Sequence, residues 1–227
     1  MEERAVRRAA AFAGIAFVVL LVASIVLTIP APMPDKSTAK ILSWFADHRQ
    51  RVYTSAVLGG LSSVAFLLFL GYAHHAAAKV ADGARGVASM LLTSGIATVT
   101  IATMSALPFA ALAATASRPG GSPSDDLVHM LDVVNGFGIN LIGFGLSAFL
   151  VAAGLLLAQG ALRPRWATWV AYVGAVANLI GSAAGFYVTK AGKGNPIGFL
   201  GFVGLILFLI TVVAISVQLL SVQEAPA

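Results

Sequence analysis

The chain has 227 residues, of which 59% are hydrophobic and only 10% charged. A soluble domain carries about 25% charged residues, so too few are present to cover a water-facing surface, and the length is better counted in spans of roughly 20 apolar residues. The absence of cysteine excludes disulfides and thiolate chemistry, while the net charge of +5 comes without any Lys/Arg-rich run interleaved with aromatics, which points to anionic lipid headgroups rather than nucleic acid.

Read with a window of about 19 residues, the sequence resolves into about six apolar segments. The first, Ala9 to Ile29, follows the basic head "MEERAVRR". It exceeds the roughly 7 to 15 apolar residues of a signal peptide, and no A-x-A cleavage site precedes "PAPMP". It reads as a retained first helix. The outer loop that follows is patterned: Ile41, Leu42 and Phe45 share one helical face, with Trp44 beside them and Lys40 and Arg49 elsewhere. This spacing predicts a short helix over 37–49, which either lies in the membrane interface or caps the bundle.

The second segment runs from Val52 to Ala78, the third from Gly86 to Ala116 and the fourth from Leu127 to Gln159. Trp166 to Val188 is the fifth and Pro196 to Val222 the sixth. Only helices and closed barrels satisfy the backbone inside lipid, and barrel strands alternate over about 10 residues. These longer, uniformly apolar runs predict an all-α fold, a transmembrane helical bundle forming one domain over 1–227.

The connections are consistent with these bounds. In "SRPGGSPSDD", Ser124 is placed to N-cap the fourth helix, with Asp125 and Asp126 in its first turn. "LRPRW" makes a tight basic connection, and "GKGNPIG" offers Asn195 as N-cap with Pro196 at the first helical position. Trp166, Trp169 and Tyr187 suit an interfacial aromatic belt. With the N-terminus inside, the two sides carry equal numbers of Lys and Arg. The arginines ahead of the first helix favour that orientation, because the first helix usually dominates.

The polar residues inside the apolar runs are the candidates for function. "LDVVNGFGINLIGFG" carries Asp132, Asn135 and Asn140. At 100° per residue, Asp132, Asn135, Gly136, Ile139 and Gly143 share a face, with Asn140 and Ser147 on its flank. The fifth segment carries a matching stripe of Ala171, Gly174, Ala175, Asn178, Gly181, Ser182 and Gly185. Small residues at this spacing allow close helix approach, across which amides can bond. Asn140 and Asn178 both sit roughly 14 Å from the expected outer boundary. The two helices are therefore expected to be antiparallel neighbours clasped by an Asn140–Asn178 hydrogen bond. Asp132 is the only acid well inside an apolar segment, hence a functional candidate, although a position about one turn below the headgroups also suits a hydrated interfacial residue.

Asp125, His129 and Asp132 fall at i, i+4 and i+7, a spacing able to hold a metal ion if Asp47 and His48 completed the shell. The plainer reading is an acidic, solvated helix start, so no metal or other cofactor is expected. His74 and His75 diverge by about 100° and cannot chelate one ion. Thr93, Ser94, Thr98, Thr100, Thr103 and Ser105 make the third segment hydroxyl-rich, and such groups commonly bond their own backbone carbonyls. Pro108 is expected to bend that helix. No G-x-S-x-G, P-loop, dinucleotide fingerprint or H-E-x-x-H occurs, and no internal repeat of the transporter kind is evident.

The order "WFADHRQRVYTSAVLGG", "VVNGFGINLIGFG" and "LRPRWATWVAYVGAVANLIG" resembles a family of small multi-pass membrane proteins of unknown function, frequent in actinobacteria. The resemblance runs from the outer-loop helix to the fifth span. It implies a bacterial inner-membrane protein of about six helices and carries no catalytic residues across.

The leading expectation is a non-enzymatic accessory protein that binds a membrane protein partner or lipid; the glycine-rich faces leave a homo-oligomer equally open. One rival is a small-solute or ion transporter using Asp132, the asparagines and the hydroxyl-rich helix as a polar path. Another is a membrane-embedded enzyme acting on a lipid or isoprenoid, with Asp132 and His129 at the outer interface.

Overall fold

The structure, a computed structural model, describes residues 2–29, 31, 36–79, 84–116, 123–187 and 197–221. Among these the chain forms only helices: α1 (Glu2–Thr28), α2 (Thr38–Asp47), α3 (Arg49–Ala78), α4 (Ala84–Ala116), α5 (Asp125–Ala158), α6 (Ala167–Tyr187) and α7 (Phe199–Ser221). All except α2 are long and apolar enough to cross a membrane, giving 6 spans. The all-α membrane bundle expected from the sequence is therefore the fold.

The bounds differ from expectation mainly at two places. The basic head is itself helical, so α1 starts at Glu2 rather than Ala9; Glu, Arg and Ala are strong helix formers. The outer-loop helix and the second span are separated only by His48, which ends α2 and begins α3. Ser124 does cap α5, accepting a hydrogen bond from the Leu127 amide at 3.3 Å. At the other end of α5, Gly160 takes a positive φ of 74°, the left-handed turn that closes many helices. α4 continues through Pro108 to Ala116. The expected cap at Asn195 and Pro196 lies outside the described residues.

The spans close a ring in the order α1, α3, α4, α5, α6, α7 and back to α1, and α5 also touches α7. α5 is the most enclosed span: 56% of its most apolar stretch is buried, against 22% for α1. Two apolar clusters fill the bundle. One lies toward the end that carries the N-terminus, where Phe17, Phe66, Phe69, Phe149 and Phe208 meet under Leu150, Leu156 and Leu157. The other lies at the opposite end, beneath α2, where Ile41 and Phe45 bury against Val52, Leu112, Ala113 and Val128. α2 thus caps the bundle, turning Lys40 and Asp47 outward.

Polar pairs fasten the helices between these clusters. Ser24 of α1 and Ser55 of α3 each donate a hydroxyl to the other's backbone carbonyl at 2.9 Å. Ser62 donates to the Phe17 carbonyl at 3.2 Å. These serines stand among apolar residues without a local pattern, and sequence reasoning passed over them.

Candidate functional site

The polar face of α5 divides between two neighbours. Toward α4, the Asn135 side-chain amide donates to the Ser105 carbonyl at 2.8 Å. The helices approach closely there because glycines face hydroxyls: a Cβ on Gly138 would strike Ser105, and one on Gly145 would strike Thr98. Toward α6, Ser147 donates to the Ala175 carbonyl at 2.8 Å. On that side Gly143 faces Ser182, Gly185 faces Asn140 and Gly154 faces Tyr172. α5 and α6 are therefore antiparallel neighbours with small faces in contact, as the two stripes predict.

The expected clasp between Asn140 and Asn178 is not formed. The contacts at Ser147–Ala175, Gly143–Ser182 and Asn140–Gly185 set an antiparallel register in which the Asn178 carbonyl faces Gly143. The Asn140 side chain lies against Gly185, seven residues beyond Asn178 along α6, an axial offset of roughly 10 Å, too far for a hydrogen bond. Asn178, only 1% exposed, instead donates to the Gly174 carbonyl of its own helix at 3.0 Å and packs on Gly204 of α7. Its amide thereby remains satisfied in an apolar surrounding, where an unpaired one would be costly.

Asp132 and Asn140 differ from Asn135 and Asn178. Both are partly buried, and neither side chain hydrogen-bonds to any described residue. Gly136, on the same face, has open space where a Cβ would stand. In the α5–α6 register, residues before about 138 extend past Tyr187, the last described residue of α6. His129 lies three residues earlier than Asp132 on the same helix. This part of α5 presents one carboxylate and the bare backbone of Gly136 beside free volume, while the Asn140 amide packs against Gly185 of α6.

The weaker cluster comes together only in part. His129 Nε2 lies 3.5 Å from Thr38 Oγ1 of α2, a long contact, and Asp125 is exposed in the first turn. His48 turns back on its own helix: its Nδ1–H donates to the Trp44 carbonyl at 2.9 Å, and the two rings stack. It does not join Asp125, His129 and Asp132, and no group of three metal-ligating side chains exists among the described residues.

The hydroxyls of α4 bond inward on their own helix. Thr98, Thr100, Thr103 and Ser105 donate to the carbonyls of Ser94, Ile96, Val99 and Ile101 at 2.7 to 3.0 Å. Thr93 and Ser94 do the same with Ser89 and Met90. Each donor is satisfied four residues back, the local bond these side chains favour in apolar helices.

No family model, curated protein or solved structure matches the chain.

Proposed function

We propose that the protein is a non-enzymatic, multi-pass accessory protein of a bacterial plasma membrane that works by binding a membrane partner, protein or lipid. The observation that carries this reading is how the interior is filled. Phe66 stands 4.6 Å from Phe17, 5.6 Å from Phe149 and 5.7 Å from Phe208 between ring centroids, so apolar rings occupy the axis of the bundle. The buried Thr98, Ser105, Ser147 and Asn178 are bonded between or within helices, as in polar packing rather than a hydrated path. The outward faces, by contrast, are broad and apolar, with Val133, Phe137, Leu179 and Phe202 all well exposed.

The resemblance to the actinobacterial multi-pass family supports the bacterial setting, and the arginines ahead of α1 support a cytoplasmic N-terminus. The experiment is native mass spectrometry of the protein gently extracted from its own membrane. A defined complex with a second polypeptide, or a retained lipid, is expected. A bare monomer or homo-oligomer without bound lipid sinks the reading.

A second reading rests on the face of Asp132 and Gly136, where the carboxylate has no hydrogen-bond partner among the described residues and Gly136 borders open space. There the protein is a small-solute or ion transporter, or a lipid enzyme, with Asp132 as its working carboxylate. Solute flux in proteoliposomes that disappears in Asp132→Ala favours transport; lipid turnover lost in the same variant favours the enzyme.

A further inference from the structure

On the lipid-facing side of the bundle, α1, α7 and the α5–α6 connection enclose a groove of about 530 Å³, lined by Val18, Pro164, Trp166, Ile210, Val213 and Val217 among others. Its volume falls in the range of about 300 to 1,000 Å³ typical of ligand sites. Along α7 the lining runs from Ile206 to Gln218, about 18 Å at the helical rise. One leaflet's share of a hydrocarbon core about 30 Å thick is about 15 Å. The groove thus extends from the headgroup level to the midplane and stops. A partner helix would follow the whole span, whereas an acyl chain needs only this half.

The headgroup end fixes the chemistry. Arg163 and Arg165 flank Pro164, and both are exposed. Among the described residues neither forms an ion pair, and Glu3, on the same membrane face, is already paired with Lys79 at 3.0 Å. Trp166 stands beside them, 57% exposed, its indole suited to the boundary between tails and headgroups. Gln218 adds an amide to the lining. Guanidinium groups offer forked donors that match phosphate oxygens.

We infer that this groove seats one anionic phospholipid of the leaflet on the N-terminal side, its acyl chain lying along α7 against Val18 and its phosphate at Arg163 and Arg165. The inference deepens the partner-binding reading above by naming a lipid class and a place for it.

The test uses the full chain carrying Trp44→Phe and Trp169→Phe, which leaves Trp166 as the only indole of the 3. It is reconstituted in phosphatidylcholine vesicles holding a minor fraction of lipid brominated on its acyl chain, either phosphatidylglycerol or phosphatidylcholine. Brominated phosphatidylglycerol is expected to quench Trp166 at a mole fraction about fivefold lower for each arginine engaged. That preference disappears in R163Q/R165Q, whose surface positions leave the fold intact. In Val213→Phe, which fills the groove, quenching by the anionic lipid falls toward the level of the zwitterionic one. Equal quenching by both lipids overturns the site, as does a preference unchanged in R163Q/R165Q. A preference unchanged in Val213→Phe overturns the seated chain. Loss of the lipid preference together with a stoichiometric polypeptide partner in native mass spectrometry rejects this site alone and leaves the broader reading standing.

Discussion

Asn135 of α5 donates its side-chain amide to the backbone carbonyl of Ser105 in α4 at 2.8 Å. The bond crosses between two spans where Gly138 also lets the helices touch. Interhelical hydrogen bonds in membranes contribute about 0.6 kcal/mol on average and up to about 1.7. Asn135→Ala is therefore expected to lower stability by about 1 kcal/mol, read as the unfolding midpoint in one detergent. Asn140→Ala, which removes an amide without a hydrogen bond among the described residues, should cost less. A larger loss in Asn140→Ala would show that the polar contact has been assigned to the wrong asparagine.

Gly181 and Gly136 lie in α6 and α5 and look alike in the sequence, but their surroundings are opposite. A Cβ on Gly181 would run into the backbone of Gly201 in α7, whereas one on Gly136 meets nothing within 4 Å. Backbone cannot rotate away as a side chain can, so Gly181→Ala must push α6 and α7 apart. A loss of about 1 to 3 kcal/mol is expected, the usual range for overpacking. Gly136→Ala should leave stability unchanged or raise it, since alanine removes backbone freedom that glycine loses on folding. Equal damage by both substitutions would contradict the α6–α7 contact.

The spans were legible because the bilayer demands long apolar helices whatever their packing. The inward faces were not. Phe12 is 61% exposed and Phe17 only 6%, yet both sit in the same apolar run, because lipid and core are equally oily and leave no periodic contrast. Small residues marked the α5–α6 contact correctly. The Asn140–Asn178 bond failed because its depths were counted from estimated helix ends, whereas Ser147, Gly143 and Ser182 set the register. One alternative open in the sequence was decided by packing, since Ile41 and Phe45 turn α2 onto the bundle; the α4 hydroxyls bond their own carbonyls.

Ser24 and Ser55 exchange hydroxyl-to-carbonyl bonds across α1 and α3, so their effects should not add. In a double-mutant cycle, Ser24→Ala and Ser55→Ala should each destabilise the protein, and the double variant should lose less than the sum by about 0.6 kcal/mol or more. Additive losses would mean that the two serines act separately, each bonded within its own helix.

Phe66 is 1% exposed and meets Phe17, Phe69, Phe149 and Phe208 at once. In a water-soluble core, Phe→Ala costs about 3 to 5 kcal/mol, part of it transfer from water and part the cavity left behind. Between helices already in lipid the transfer part is small, but the lost dispersion contacts remain. Phe66→Ala is expected to cost about 2 kcal/mol, with Phe66→Leu losing less because it fills more of the cavity. Leu68, two residues along α3, is 64% exposed and faces lipid, so Leu68→Ala should be nearly neutral. Unfolding midpoints measured side by side settle the comparison. If Leu68→Ala proves as damaging as Phe66→Ala, α3 is rotated, and the aromatic filling that argues against a polar path goes with it.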